Sequence, residues 1–234
     1  MSTRYFLPDQ TRRATILAHG APLALHTDAL PVLEGTEVLV RVHCCGVCHT
    51  DVHLRAGYYD IGEGREWRFN EHGVHPPITP GHEIYGEIIA ASPRGEGVRR
   101  RGVIYPWIGC GECRTCTSGN EHFCAKHRFV GMRRAGGFAD YVILPHARYV
   151  LDTGSLEPAR AATLACAGLT AYSALKKLGD QRRGGWIGVI GAGGLGLHGI
   201  QIAKRIAAAF EFLPQGVPVR PVIQEMTDKT GVGP

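Results

Sequence analysis

Four cysteines packed into one short segment constrain this chain more than any other feature. They lie at Cys110, Cys113, Cys116 and Cys124, with gaps of two, two and seven residues between them. A loop that carries four thiolates can close completely around a tetrahedral zinc ion. An iron–sulfur loop would have a last gap of three followed by Cys-Pro, and a zinc ribbon would have two Cys-x2-Cys pairs about 15–20 residues apart. The spacing therefore predicts a structural zinc site.

Composition narrows the class of protein. The 234 residues include 32 glycines, about twice the usual share, which favours a turn-rich β fold over a helical bundle. The net charge of +5 is mild and forms no long basic tract, so nucleic acid is not an expected partner. No apolar run reaches the roughly 18–20 residues that span a bilayer, and the first ten residues do not resemble a signal peptide. We expect no membrane partner and a cytoplasmic location, where cysteines serve as metal ligands or free thiols.

The hydrophobic pattern changes near residue 152, which predicts two domains of a mixed α/β chain. Before that point, short alternating runs predict strands at Glu37–His43, Glu87–Ala91 and Tyr141–Leu144. After it, the pattern predicts a helix, a strand and a second helix at Ala159–Leu178, Trp186–Ile190 and Leu195–Ala209. We therefore predict a β-rich domain over residues 1–155 and an α/β domain over residues 156–234.

A second set of metal-ligating residues is spread along the chain. Cys48, His82 and Cys166 make a Cys2His set, which can hold a catalytic zinc and leave one position open. Two thiolates neutralise the metal, yet it can still polarise a bound oxygen. Glu83, next to His82, is placed to approach the zinc from behind or to hold a nearby cation. Each residue alone is more often structural, as we expect for Cys44, so the prediction rests on the joint pattern.

Three residues that follow Cys48 are predicted to support the metal site. If this segment is a turn, the Thr50 hydroxyl can hydrogen-bond a zinc-bound oxygen. His53 is then placed to pass the proton to solvent, which is a role that histidine side chains can serve. Asp51 is predicted to orient His82 from outside the ligand shell.

Six motifs in sequence order resemble the zinc-dependent medium-chain dehydrogenase/reductase family, the zinc alcohol dehydrogenases. They are GVCHTDVH at 46–53, GHE at 81–83, the four-cysteine segment at 110–124, GGFADYVILP at 136–145, LACAGLTAYSAL at 164–175 and GAGGLG at 191–196. The resemblance implies a GroES-like domain with two zinc ions per chain, joined to a Rossmann domain. It also implies reversible oxidation of a small-molecule alcohol, with hydride passing to NAD(H) or NADP(H). It assigns the Cys2His set to the catalytic zinc and Thr50 and His53 to a proton relay. A homo-oligomer is expected by analogy.

The glycine-rich motif predicts a dinucleotide-binding turn between a strand and a helix. Gly191 permits the turn, Gly193 lets the backbone approach a pyrophosphate, and Gly196 allows close packing of helix and strand. The predicted cofactor-binding residues are Gly191, Gly193, Gly194, Leu195 and Gly196.

The second domain is expected to be shorter than a complete Rossmann fold. An acidic residue should end a second strand about 20 residues after the motif. Glu211 lies near that distance, but its surroundings read as a continued helix. Gln215–Ile223 resembles a segment that the family places near its C-terminus, which suggests an internally shortened domain. Two hypotheses therefore stand: a zinc-dependent alcohol dehydrogenase, or an inactive zinc-binding fragment without a working cofactor domain. Affinity for the nicotinamide cofactor discriminates between them.

Overall fold

The described structure contains strands at the four predicted positions, with most bounds shifted, and further strands and helices that the sequence pattern did not predict. A computed structural model describes residues 8–179, 187–206 and 211–213. The strands are β1 (Gln10–Ile16), β2 (Leu23–Ala29), β3 (Val38–Gly46), β4 (Tyr58–Asp60), β5 (Glu66–Arg68), β6 (Glu83–Ala91), β7 (Arg101–Ile104), β8 (Tyr141–Leu144), β9 (Val150–Leu151), β10 (Gly188–Ile190) and β11 (Glu211–Leu213). The α-helices are α1 (His49–Ala56), α2 (Arg114–Thr117), α3 (Pro158–Ala162), α4 (Ala167–Lys177) and α5 (Gly194–Ile206).

The structure divides into two compact units, the first of which ends at Cys166. The boundary that we predict between residues 155 and 156 stays a prediction. Within the described residues, no helix is both long and apolar enough to cross a membrane.

A five-stranded antiparallel sheet forms the centre of the first unit, in the order β8-β3-β6-β7-β9. Alternation along β6 buries every second residue, as a sheet with one face on a core requires. The predicted strand at Tyr141–Leu144 is confirmed without change, while β3 and β6 both extend past their predicted bounds. They extend because Gly46 pairs with Glu83 at the far end of the ladder. This pairing brings the residues around Cys48 and His82 to the same end of the sheet.

A second, smaller core lies under α1. Ile16, Leu54, Phe69, Val74 and Ile78 are buried in it. Each such side chain contributes about 1.5–3 kcal/mol when fully buried. The β1–β2 hairpin is joined to the rest of the unit by backbone hydrogen bonds, among them a reciprocal pair between residues 16 and 78. The packing fixes α1, which begins directly after Cys48.

The prediction of one continuous helix over Ala159–Leu178 is wrong. The segment forms α3, a 3-10 turn at Thr163–Ala165 and then α4. The interruption falls at Cys166, whose backbone angles of φ −123° and ψ −78° are not helical. The alanine-rich sequence on both sides of Cys166 favours helix. The sequence pattern therefore did not indicate that the helix is interrupted at this residue.

The described part of the second unit contains a βαβ arrangement. β10 and β11 pair in parallel, with α5 between them along the chain, and α4 packs against α5. The interpretation of Glu211 as a continued helix is therefore wrong, since this residue begins β11. The run of alanines before it continues the helical pattern and hides the start of the strand. Trp186, Ala207–Ala209 and Gln215–Ile223 lie outside the described residues.

Candidate metal centres

The four clustered cysteines bring their sulfur atoms together in one small lobe. All four Sγ atoms lie within 4.8 Å of one another. The distances from Cys116 Sγ are 3.8 Å to Cys110 and 3.5 Å to Cys113, and Cys113 lies 3.8 Å from Cys124. A disulfide needs about 2.05 Å, whereas sulfurs about 2.3 Å from a shared tetrahedral zinc lie about 3.8 Å apart. The donor set and its spacing fit a closed zinc site.

Backbone amides and burial shift the cysteine pKa values in this lobe in opposite directions. The amides of Glu112 and Cys113 donate to Cys110 and lower its pKa to about 6. Burial raises the pKa of Cys116 to about 12. Without a cation, the Cys110 and Cys116 sulfurs would therefore differ in protonation at neutral pH. A divalent cation would hold all four as thiolates.

Glu121 connects the lobe to the sheet. Its carboxylate accepts hydrogen bonds from Gly109 N at 3.2 Å and from the Tyr149 hydroxyl at 2.8 Å. The Arg148 guanidinium also donates to it. Tyr149 is buried in the core of the sheet, so the lobe is held in a fixed position on the first unit.

The dispersed Cys2His residues meet at the end of the sheet. The ligand atoms of Cys48, His82 and Cys166 lie within 4.8 Å of one another, and the two sulfurs are 3.9 Å apart. Cys48 caps α1, His82 immediately precedes β6, and Cys166 lies at the helix interruption. His82 is 1% exposed, while both cysteines are half-buried.

The buried ring of His82 provides the test of whether a metal ion fits this set. Neither ring nitrogen has a hydrogen-bond partner in the structure, and an unsatisfied buried polar atom costs about 1–3 kcal/mol. Nδ1 lies 3.4 Å from Asp51 Oδ1, which leaves Nε2 for a ligand bond. The sulfur spacing also matches a shared tetrahedral ion. The residues present therefore fit a zinc ion with an open coordination position.

Electrostatics within the set favour one thiolate facing one charged imidazole. Contact with Cys166, followed by that with His82, lowers the pKa of Cys48 to about 3, although burial opposes the shift. Burial lowers the pKa of His82, but Asp51 and Cys48 outweigh it and raise the value to about 9. The Cys48 thiolate, together with burial, raises the pKa of Cys166. A divalent cation can replace the protons held by His82 and Cys166.

Asp51 links the two segments that carry the metal-ligating side chains. Oδ2 accepts from Cys48 N at 2.9 Å and Oδ1 accepts from Gly81 N at 3.0 Å. The carboxylate is 5% exposed and lies beside His82. This position is the one expected for a group that orients the histidine.

Thr50 and His53 lie in α1, which forms a two-turn helix where the sequence suggested a turn. The Thr50 side chain interacts with the Cys48 sulfur and with the Tyr59 hydroxyl and lowers the pKa of each, although burial raises the pKa of Tyr59 overall. The Tyr59 ring lies 4.7 Å from the His53 ring, between centroids. Sequence reasoning did not single out Tyr59, although an aromatic residue so soon after the α1 C-cap Gly57 was a usable signal.

Two further residues border the Cys2His set. Glu83 is buried, but its carboxylate lies against Gly46 and is not part of the group of clustered ligand atoms. Its charge contributes to the raised pKa of Cys166. Trp107 donates from Nε1 to Ala165 O at 3.0 Å. Its ring centroid lies 5.9 Å from that of His82, so it covers the histidine.

Comparison with known proteins identifies the family. Residues 34–153 match the family described as "Alcohol dehydrogenase GroES-like domain". The chain belongs to the zinc-dependent medium-chain alcohol dehydrogenase family. Membership confirms the resemblance seen in the motifs and the mixed α/β class with a GroES-like domain.

Several dehydrogenases resemble the chain over most of its length. It is 35% identical to an NAD-dependent alcohol dehydrogenase of Saccharolobus solfataricus and 36% identical to one of Sulfurisphaera tokodaii, in each case over 94% of this chain and 62% of the relative. A cobalt- and zinc-bound thermostable alcohol dehydrogenase from Pyrobaculum aerophilum superposes with a TM-score of 0.71 at 26% identity, covering 94% of this chain and 63% of that one. The chain thus spans less than two thirds of the length of these family members.

The glycine-rich loop of this family member lies between β10 and α5. Gly191 adopts φ +85°, and α5 begins at Gly194. A Cβ at Gly196 would lie 1.9 Å from the Gly191 carbonyl oxygen, so only glycine permits this approach of helix and loop. Among the other predicted cofactor residues, Gly193 has open space around it and Leu195 is exposed.

Gly81→Ala is expected to damage the Cys2His set from the neighbouring position. Gly81 has φ +93°, and an added Cβ would lie 2.6 Å from Phe138 Cδ1 and 2.8 Å from Cys45 Sγ. Backbone strain and the clash together should lower the free energy of unfolding by about 3 kcal/mol. The matched control is Gly62→Ala, which has φ +86° with nothing within 4 Å of the new Cβ. Urea unfolding of both zinc-loaded variants checks this, and equal losses would contradict the packing explanation.

Proposed function

We propose that this chain carries the catalytic centre of a zinc-dependent alcohol dehydrogenase, which oxidises an alcohol to an aldehyde or ketone and transfers hydride to NAD⁺ or NADP⁺, giving NADH or NADPH. The observation that carries the proposal is the Cys48, His82 and Cys166 set, with an unsatisfied buried His82 nitrogen and two half-buried sulfurs. A closed structural zinc site fills all four coordination positions with protein ligands, whereas this set of three ligands leaves one position free. The relatives named NAD-dependent alcohol dehydrogenases support the same reaction.

Both metal sites belong to this proposal, with one zinc ion in each. The Cys2His residues would hold the catalytic ion, and the four lobe cysteines would hold the structural ion. When bound, the catalytic zinc would polarise the substrate oxygen and make the alcohol proton easier to remove. Asp51 holds His82 and the Cys48 backbone in place, which maintains the ligand geometry. Glu83 remains an adjacent acid in this proposal, with its carboxylate against Gly46 and outside the group of clustered ligand atoms.

The alcohol proton would leave through two residues of α1, Thr50 and His53, and through Tyr59 of β4. The Thr50 hydroxyl lies beside Cys48, so it can accept the proton from a substrate bound at the open position. Tyr59 interacts with Thr50, and its ring lies next to the His53 ring at a tilted angle of 54°. His53 is partly exposed and can release the proton to solvent. The substrate class is a small alcohol or aldehyde, and a homo-oligomer in the cytoplasm is expected by analogy with relatives.

A second candidate function is a zinc-binding fragment with no turnover. The chain spans 62% of the length of the curated relatives named above. A dinucleotide-binding fold uses a broader parallel sheet than the two strands seen among the described residues of the second unit. In this case both zinc sites would fill, but nicotinamide would bind weakly or not at all.

An NADH titration of the zinc-loaded chain separates the two candidates. Saturable binding in the micromolar range, followed by fluorescence, together with alcohol-dependent formation of NADH, is the result expected for the dehydrogenase. Full zinc content with no binding of NADH or of NADPH up to millimolar concentration would refute it and leave the fragment.

Gly196→Ala is expected to weaken NADH binding at least about tenfold. The new Cβ must push α5 away from the Gly191 carbonyl and so misplace the backbone amides that would face the pyrophosphate. Gly188→Ala is the matched control, since nothing lies within 4 Å of its Cβ position. Equal NADH affinities for the two variants in the fluorescence titration would show that the loop does not hold the cofactor.

A further inference from the structure

A basic cavity of about 520 Å³ lies away from both metal centres, between the β1–β2 hairpin and two loops of the first unit. Its charged and titratable lining residues are Arg13, His26, Asp28, His75, Arg133 and Arg134. Three arginines and two histidines thus share the cavity with one carboxylate. A cavity of this size is typical of sites for small molecules.

Arg13 is the arginine of the basic cavity that has a buried nitrogen without a hydrogen-bond partner. Its side chain is 21% exposed, and its Nε is buried with no hydrogen-bond partner. The nearest carboxylate, Asp28, lies 3.6 Å from Arg13 Nη1, beyond a normal hydrogen bond. Asp28 is also shared with His26 Nε2 at 3.1 Å. A largely buried guanidinium without a bonded anion is costly, so the cavity is short of negative charge.

The other two arginines differ in how their charge is balanced. Arg134 is 20% exposed and pairs with Glu37, which is not a lining residue, at 3.4 Å. Arg133 donates to the backbone carbonyl of His72, a neutral acceptor that leaves the charge of Arg133 uncompensated. Planar guanidinium groups that line one cavity suit the oxygens of a phosphate group, which they can bind with paired hydrogen bonds.

We propose that the basic cavity is a binding site for a phosphate dianion, free or as part of a small organic phosphate, with Arg13 as its central ligand. The anion would satisfy the Arg13 Nε and balance the charge of Arg133. The site is independent of the metal centres and of hydride transfer, so it stands or falls separately from the proposed dehydrogenase function.

The test is a titration of the zinc-loaded chain, labelled with 15N at arginine, with inorganic phosphate at constant ionic strength. One Nε–H resonance, assigned to Arg13 by its loss in Arg13→Lys, should shift saturably. Arg13→Gln and Arg133→Gln should each weaken phosphate binding about tenfold or more. The control Arg65→Gln removes an exposed arginine outside the cavity and should change nothing.

Further arms identify the ligand. Succinate tests for a general dianion, and glycerol 3-phosphate tests for an ester. If glycerol 3-phosphate binds more tightly than inorganic phosphate, the ligand is an organic phosphate. If the two bind equally, the ligand is free phosphate. Either result supports the site. The proposal is overturned if no Nε–H resonance shifts saturably or if succinate binds as tightly as phosphate. It is also overturned if Arg65→Gln weakens phosphate binding as much as Arg13→Gln and Arg133→Gln do. Native-like spectra of these variants show that each one is folded.

Discussion

Cys48→Ser is expected to lose one of two zinc ions per chain and to reduce alcohol oxidation by at least about 10³-fold. The substitution removes a thiolate from a set of three ligands, and a catalytic metal supplies several kcal/mol of charge stabilisation. Loss of about 4 kcal/mol corresponds to about 10³-fold in rate. Serine suits the N-cap position of α1, so the fold should persist. Zinc content and the turnover number of the purified variant measure the two effects.

Cys44→Ser is the matched control for this prediction. Cys44 is half-buried on β3 and belongs to neither group of clustered ligand atoms. It should keep two zinc ions and the activity of the unaltered chain. Retention of both metals in Cys48→Ser would contradict the assignment, and so would an equal loss in Cys44→Ser.

Cys113→Ser is expected to have the largest effect on stability. The four-cysteine lobe contains only a one-turn helix and the 3-10 turn Glu121–Phe123, so metal bonds supply most of its folding energy. We expect a loss of about 4 kcal/mol in the free energy of unfolding. For a chain of this length, that loss lowers Tm by about 8–16 °C. Calorimetry with zinc analysis on the same sample measures both effects.

The outcome of Cys113→Ser also separates the two metal sites. The Cys2His set lies outside the lobe, so a cobalt-substituted Cys113→Ser chain should keep one thiolate-to-cobalt absorption band. Thr117→Ala, at the last residue of the lobe helix, is the control and should keep both metals. An unchanged Tm in Cys113→Ser would show that the lobe folds without a metal ion.

The clustering of the four lobe cysteines was predictable because it follows from their local spacing. Four cysteines in one loop can reach only one another, whatever the rest of the fold does. Cys48, His82 and Cys166 are far apart in sequence, and only the shared pattern of a family suggested that they meet. The structure shows the physical reason: the β3–β6 ladder ends beside Cys48 and His82.

Several features were hidden from the sequence because tertiary contacts override local preference. Alanines on both sides of Cys166 favour helix, yet the chain leaves helical geometry there to bring the sulfur to Cys48. The start of β11 at Glu211 was hidden in the same way, since parallel pairing with β10 decides it. Tyr59 and Trp107 carry no metal-ligand signature, so their places beside Thr50 and His82 became visible only in three dimensions.

Native mass spectrometry of the zinc-reconstituted chain tests directly whether one chain holds zinc both in a closed four-cysteine site and in an open Cys2His site. The expected mass corresponds to two zinc ions per chain, falling to one in Cys48→Ser and to one in Cys113→Ser. A chain that holds fewer than two zinc ions at saturating metal, or a Cys48→Ser chain that still holds two, would contradict the account.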